Sequence, residues 1–272
     1  MENLFFKRKN IALVSFFVLI GCAKKPYSAS NQLYKKQVKE FSKIIQQYPL
    51  DDSINASPYW AGTTNFGLRK PNFVIIHHTD QASCDQTLKT FTLTKTQVSA
   101  HYVICKDGTI FHMLNDYLRA WHAGVSKWGN LTDINSASIG IELDNDAHSV
   151  FPEIQIQSLL KLLAALKNKY DIPTANFIGH ADVAPGRKVD PSRFFPWSTL
   201  AEKGFGYWYD TTNTNAPENF NSLQAMRIIG YNMHDSLNAI QSFKIHFTPN
   251  DSTSILNDGD RKILFSLEKK YR

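Results

Sequence analysis

Apolar residues recur along this chain in two rhythms, and the change from one to the other outlines its architecture. Asn72-Phe-Val-Ile-Ile-His-His-Thr79 is a β-branched run bounded by Pro71 and a polar loop, the pattern of a buried strand. A polar helix carrying Leu88 and Phe91 follows. His101-Tyr-Val-Ile-Cys105 and Ile110-Phe-His-Met-Leu114 then flank Asp107-Gly108, which reads as a hairpin with Asp-Gly in its turn. Ser138-Ile-Gly-Ile-Glu-Leu143 is another strand. Ile156, Leu159, Leu160, Leu163 and Tyr170 mark one face of a helix that Asp171-Ile172-Pro173 stops, and Asn176-Phe-Ile-Gly179 is a strand feeding a long loop. Strands alternating with helices predict an α/β fold, a mixed central β-sheet flanked by helices. Beyond Trp197 the helical period takes over. Leu223, Met226 and Ile229, then Leu237, Ile240, Phe243 and Phe247, then Leu264, Leu267 and Tyr271 give three stripes. They predict a small C-terminal three-helix domain behind the Asn/Thr-rich linker at 211–217.

The N-terminus departs from both rhythms. Lys7-Arg8-Lys9 precedes an apolar run from Ile11 to Ile20, a signal-peptide core too short to span a bilayer. It ends in Leu19-Ile20-Gly21-Cys22, which resembles the lipobox of bacterial lipoproteins, in which the cysteine is lipidated and becomes the new N-terminus. Ala23 follows, and the absence of Asp there resembles lipoproteins sent to the outer membrane. Cleavage before Cys22 removes Lys7, Arg8, Lys9 and Glu2 and lowers the formal net charge from +6 to +4. That balance suits an anionic polymer such as the cell wall, and no dense Lys/Arg run points to nucleic acid. From Ala23 to about Pro58 the chain is polar apart from Leu33, Val38, Phe41, Ile44 and Ile45, which reads as a tether with one amphipathic helix. Cys84 and Cys105 remain for a compartment that permits disulfides. Spacing leaves a bridge and two free buried thiols equally open.

The candidate chemistry lies in Gly179-His-Ala-Asp-Val-Ala-Pro-Gly-Arg-Lys-Val-Asp190-Pro. A hydrolytic zinc takes three protein ligands from His and carboxylate and leaves a fourth position open. His180 and Asp190 suit that role, and the Pro185-Gly186 turn folds the loop back. A third ligand is available at the end of the first strand, where alternation sends His77 and His78 to opposite faces, so only one of them can enter a given site. Glu142 is a carboxylate in an apolar strand, costly to bury unless paired or protonated. A general base and a buried ion pair both account for it. Lys188, two residues before Asp190, is placed to stabilise an oxyanion. Trp121-His-Ala-Gly124 offers an aromatic pair for a sugar-peptide ligand, or for packing. His101, His112, His148, His234 and His246 read by themselves as structural or solvent-exposed.

Six ordered segments carry a resemblance: Val-Ile-Ile-His77-His-Thr, Ser99-Ala-His-Tyr-Val, Trp121-His-Ala-Gly, Ser138-Ile-Gly-Ile-Glu142, the His180 to Asp190 loop and Phe195-Pro-Trp. Together they resemble the zinc-dependent N-acetylmuramoyl-L-alanine amidases, relatives of phage amidase-type lysozymes and peptidoglycan recognition proteins. The resemblance implies that His77, His180 and Asp190 bind Zn2+, that Glu142 is the base and that Lys188 assists the transition state. It also makes His101, Trp121 and His122 candidate contacts to peptidoglycan or muropeptides. Asp190 and Glu142, where some relatives carry Cys and Tyr, point to the bacterial branch that holds the outer-membrane lipoprotein amidase. The implied layout is a lipoprotein signal peptide at 1–21, a tether at 22–56 lipidated on Cys22, a zinc amidase domain at 57–205 and a helical peptidoglycan-binding-like domain at 211–272. The protein would then face the periplasm from the outer membrane. A non-catalytic peptidoglycan-binding module is the competing reading, against which the full set of ligands, base and lysine weighs.

Overall fold

The structure, a computed structural model, describes residues 25–46, 65, 67–210, 212 and 215–272. The signal-peptide segment, Cys22 and part of the tether lie outside the described residues. The chain divides into two units, Met1–Ser57 and Pro58–Arg272. In the first, helix α1 (Ser28–Ile45) contains no buried residue.

The second unit is built on five strands: β1 (Phe73–His78), β2 (Tyr102–Ile104), β3 (Ile110–His112), β4 (Ser138–Leu143) and β5 (Phe177–Gly179), in the order β3-β2-β4-β1-β5. β2, β4, β1 and β5 run parallel, and β3 closes the edge as the antiparallel arm of the expected hairpin. Between them come α2 (Cys84–Thr92), α3 (Ile134–Ala137) and α4 (Glu153–Tyr170), with α5 (His180–Val183) directly after β5 and α6 (Trp197–Glu202) after the loop. The tail forms α7 (Ser222–Ile229), α8 (Ser236–Phe247) and α9 (Asp258–Tyr271). Side-chain caps open several of these helices: Ser83 accepts from Gln86 N, Asn221 from Gln224 N, Asp235 from Leu237 N and Asn238 N, and Asn257 with Asp260 makes a capping box. Each cap satisfies amide donors that have no partner within the helix.

Strand alternation sorts the core into two layers. Val74 and Ile76 of β1 and Ile139, Ile141 and Leu143 of β4 pack with Ile156, Leu159, Leu163, Leu166 and Tyr170 of α4. On the opposite face Ile75 and Ile178 join Met226, Ile229, Ile240, Phe243, Phe247, Leu264 and Leu267 of the tail. The three tail stripes are thus buried in a core that the sheet shares. Cys84 and Cys105 form a disulfide with a Cα–Cα distance of 5.4 Å, tying the start of α2 to the end of β2.

Candidate active site

The site lies at the C-terminal ends of the parallel strands, the edge at which ligands bind in open α/β sheets. In the β1–β4 register His77 lies beside Glu142, and Ile75 beside Gly140. His180 follows the last residue of β5 and opens α5. The chain then turns at Gly186, with φ +73°, and returns so that Ala181 N donates to Asp190 O at 2.7 Å. The Asp190–Pro191 peptide is cis. His77, His180 and Asp190, all buried, thereby bring three ligand atoms within 4.8 Å of one another.

The hydrogen bonds around these groups fix which atoms carry lone pairs. Ser138 Oγ donates to Ile134 O at 2.6 Å, so it accepts from His122 Nε2 at 3.1 Å. His122 Nδ1 is therefore an acceptor, and His77 Nε2, 3.1 Å away, donates to it. His180 Nε2 faces Ala123 O at 3.1 Å, nearer than Arg187 Nη2 at 3.2 Å, and donates to that carbonyl. Both Nδ1 atoms are then left with lone pairs, 3.0 Å from each other and 3.0 and 2.9 Å from Asp190 Oδ2. Three acceptors this close repel unless a cation or a proton lies among them. Two outward N–H groups anchored on acceptors, with two inward nitrogens and one carboxylate oxygen, is a donor set that fits zinc.

Burial is the main influence on the charges here. It holds the His77 imidazole near a pKa of about 4, with the neighbouring His180 acting in the same sense and Asp190 against it. His122 is likewise driven well below its ordinary value, by burial and then by His77. For Asp190 burial acts upward, but the bonds to His180 and His77 prevail and hold its carboxyl below the usual range. Glu142 is raised well above its ordinary value by burial and by the charge on Asp190. Its Oε1 lies 3.9 Å from His77 Nδ1, and its Oε2 is buried without a hydrogen-bond partner. Such an oxygen beside the ligand cluster is free to accept from a water or a ligand.

These groups line a cleft of ≈ 400 Å³, walled by Thr90 and Phe91 of α2, by Trp121 and by Arg187, Lys188 and Val189 of the loop. Trp121 is half exposed. His78, on the opposite face of the strand, also lines the cleft, and its Nδ1 accepts from Ser192 N at 2.9 Å. His101 does not meet the expectation of a substrate contact. It has no exposed surface, its Nδ1 accepts from Gly140 N, and its Nε2 faces Leu118 O. His122 reaches the cleft floor, but both its ring nitrogens are engaged, by His77 and by Ser138. Its ring fills the space where a Cβ on Gly140 would lie, 2.4 Å away, which accounts for the glycine in an otherwise apolar strand.

Residue patterns gave no sign of a brace on the loop. Asp182, 1% exposed, accepts from Gly179 N, from Tyr231 Oη and from His246 Nδ1, each at 2.8 Å. Asn238 of α8 packs into the space beside Gly186. Arg187 Nε donates to Val125 O at 3.0 Å, fastening the loop to the Trp121 segment.

Comparison with known proteins agrees with this geometry. Residues 67–193 match the family described as N-acetylmuramoyl-L-alanine amidase. Over 230 residues the chain is 31% identical to the N-acetylmuramoyl-L-alanine amidase AmiD of Escherichia coli K12, spanning 73% of this chain and 82% of that protein. It is 40% identical over 102 residues to the 1,6-anhydro-N-acetylmuramyl-L-alanine amidase AmpD of the same organism, 38% of this chain and 56% of that one. The solved structure of E. coli AmiD with anhydro-N-acetylmuramic acid-L-Ala-D-gamma-Glu-L-Lys superposes with a TM-score of 0.67 at 28% identity, covering 83% of this chain and 96% of the other. AmpDh3 of Pseudomonas aeruginosa gives 0.69 at 28% identity, with 83% and 99% covered. On the length of these matches, the chain belongs to the N-acetylmuramoyl-L-alanine amidase family.

Proposed function

We infer that the protein hydrolyses the amide bond between N-acetylmuramic acid and L-alanine in peptidoglycan or muropeptides. The observation that carries this reading is the convergence of His77, His180 and Asp190 beside the unpartnered carboxylate oxygen of Glu142 in one open cleft. His77, His180 and Asp190 would hold Zn2+, which when bound supplies Lewis acidity to water and carbonyl. Glu142 takes the proton from the attacking water as it adds to the lactyl carbonyl, and passes it to the departing alanine nitrogen when the C–N bond breaks. The Lys188 ammonium, at the cleft wall, faces the developing oxyanion. Trp121 offers an aromatic face to the sugar or the stem peptide.

The address and the outer segments belong to the same reading. Cys22 is acylated, and the protein is held at the outer membrane facing the periplasm. Among the described residues no helix is long and apolar enough to cross a membrane. Residues 211–272 add contacts to the wall. The support for these statements is the lipobox-like Leu19 to Cys22 segment, and the lack of any second cluster of candidate catalytic groups among the described tail residues.

The deciding experiment is mass spectrometry of products from purified sacculi and from anhydromuropeptide, with and without a chelator. Release of peptides bearing a free L-alanine amine, abolished by chelator and restored by zinc, is expected. Binding to sacculi without any such release would make the protein a recognition module.

A further inference from the structure

Helix α1 (Ser28–Ile45) has two sides. At about 100° per residue, Leu33, Tyr34, Val38, Phe41, Ile44 and Ile45 fall within an arc of roughly 140°, with Ser30 and Gln37 among them. Lys35, Lys36, Lys39 and Lys43 lie across from that arc. None of the helix's residues is buried, and the apolar ones grow more exposed toward the C-terminus, from 49% at Phe41 to 62% at Ile44 and 71% at Ile45. A contiguous apolar stripe of this kind marks an interaction surface.

The far side of the helix indicates what covers the stripe. Four lysines with a single acidic residue, Glu40, which Lys43 engages at 3.1 Å, complement an anionic surface, and a basic amphipathic helix of this make lies in a bilayer interface. Position agrees: Ser28 is six residues beyond Cys22, about 20 Å at full extension, so an acylated Cys22 keeps the helix at headgroup level. We propose that α1 lies in the plane of a phospholipid leaflet, with its apolar arc in the acyl boundary and its lysines among anionic headgroups. The distance argument rests on the anchor reading; the two-sided pattern does not.

The test places a nitroxide label at Ile44→Cys and, separately, at Lys39→Cys in the full chain, purified from membranes and reconstituted in phosphatidylethanolamine vesicles with phosphatidylglycerol. The native cysteines at 84 and 105 are paired, and the parent chain treated with the same reagent subtracts any label taken up at an unacylated Cys22. The expected result is a label at position 44 about 5–10 Å below the headgroups and a label at 39 in water. Exchanging phosphatidylglycerol for phosphatidylcholine should move the label at 44 outward. Two aqueous labels would overturn the proposal. So would a label at 44 that is equally shielded without vesicles, which would assign the stripe to the catalytic unit or to a second copy. Mass spectrometry of the same sample reads the N-terminus and separates the two claims. An acylated chain with an aqueous label at 44 keeps the anchor and refutes the helix. An unacylated chain with a submerged label keeps the helix and refutes the anchor, and an unacylated chain with an aqueous label refutes both.

Discussion

Replacing His122 by alanine tests whether the chain behind His77 sets the strength of metal binding. In the parent, His77 Nε2 donates to His122 Nδ1, and His122 Nε2 donates to Ser138 Oγ, both at 3.1 Å. His77 is 1% exposed, so without His122 its outward N–H loses its acceptor, at a cost of about 1–3 kcal/mol. The ring escapes that cost by moving its proton to Nδ1, the atom that faces His180 and Asp190. A metal must then displace that proton and restore the unfavourable tautomer, so the cost appears in the binding constant. The corresponding loss is roughly 10–100-fold in zinc affinity, the range typical of residues that hold metal ligands from behind. Competition with a chromogenic chelator measures it, and melting of the metal-free protein reports separately on the cavity left by the ring. Gly140→Ala provides an independent route, since its Cβ would lie 2.4 Å from the His122 ring. It should weaken zinc binding without removing any ligand or hydrogen-bonding group. A His122→Ala protein that binds zinc within about twofold of the parent would refute the argument from tautomers.

Glu142→Gln should keep zinc and lose about 10²–10⁴ in turnover. Because burial raises the Glu142 carboxyl and a base must be ionised to act, kcat/KM of the parent should fall with decreasing pH above the ordinary carboxylate range; an unchanged turnover in the Gln variant would make Glu142 structural. Lys244, 1% exposed and paired with the equally buried Asp260 at 3.1 Å, predicts that Lys244→Met costs about 3–5 kcal/mol in urea unfolding. Adding Asp260→Asn should recover part of that loss, and no recovery would place the cost in packing instead of the orphaned carboxylate. Truncation after Lys203 uncovers Ile75 and Ile178 and leaves Asp182 without Tyr231 and His246; a truncated protein that folds with parental zinc affinity would show the tail to be dispensable to the site.

The strands and their site-facing residues were legible because a period of two is a local property. Once Val74 and Ile76 face α4, His77 must face the other way, and the same alternation puts Glu142 beside it in β4. A neighbour in space that is distant in sequence leaves no such trace. Nothing in Trp121-His-Ala-Gly124 distinguishes a histidine that contacts substrate from one that backs a ligand. The difference lies in Ser138 Oγ and in the missing Cβ of Gly140, sixteen and eighteen residues away. His101 was ambiguous for the same reason, and its burial against Gly140 N resolves it as support for β4.

The tail shows the limit of periodic patterns. The stripes of α7, α8 and α9 state that three helices have an apolar side, but not what covers it, and a separate domain is the simplest inference from a linker and a change of rhythm. The shared core with Ile75 and Ile178 gives a different energetic picture. The tail residues Tyr231 and His246 stand against the buried Asp182, and a buried carboxylate is tolerable only with partners. Gly179 N supplies one from the loop itself; Tyr231 and His246 supply the others from outside it. Asp182 lies between His180 and Asp190, so the same contacts that bury the tail also restrict the loop that carries two of the three candidate ligands. A substitution such as Tyr231→Phe, which keeps the ring packed against Trp128 and removes one bond to Asp182, therefore acts on the ligand loop from the connection between α7 and α8, which contains no candidate catalytic residue.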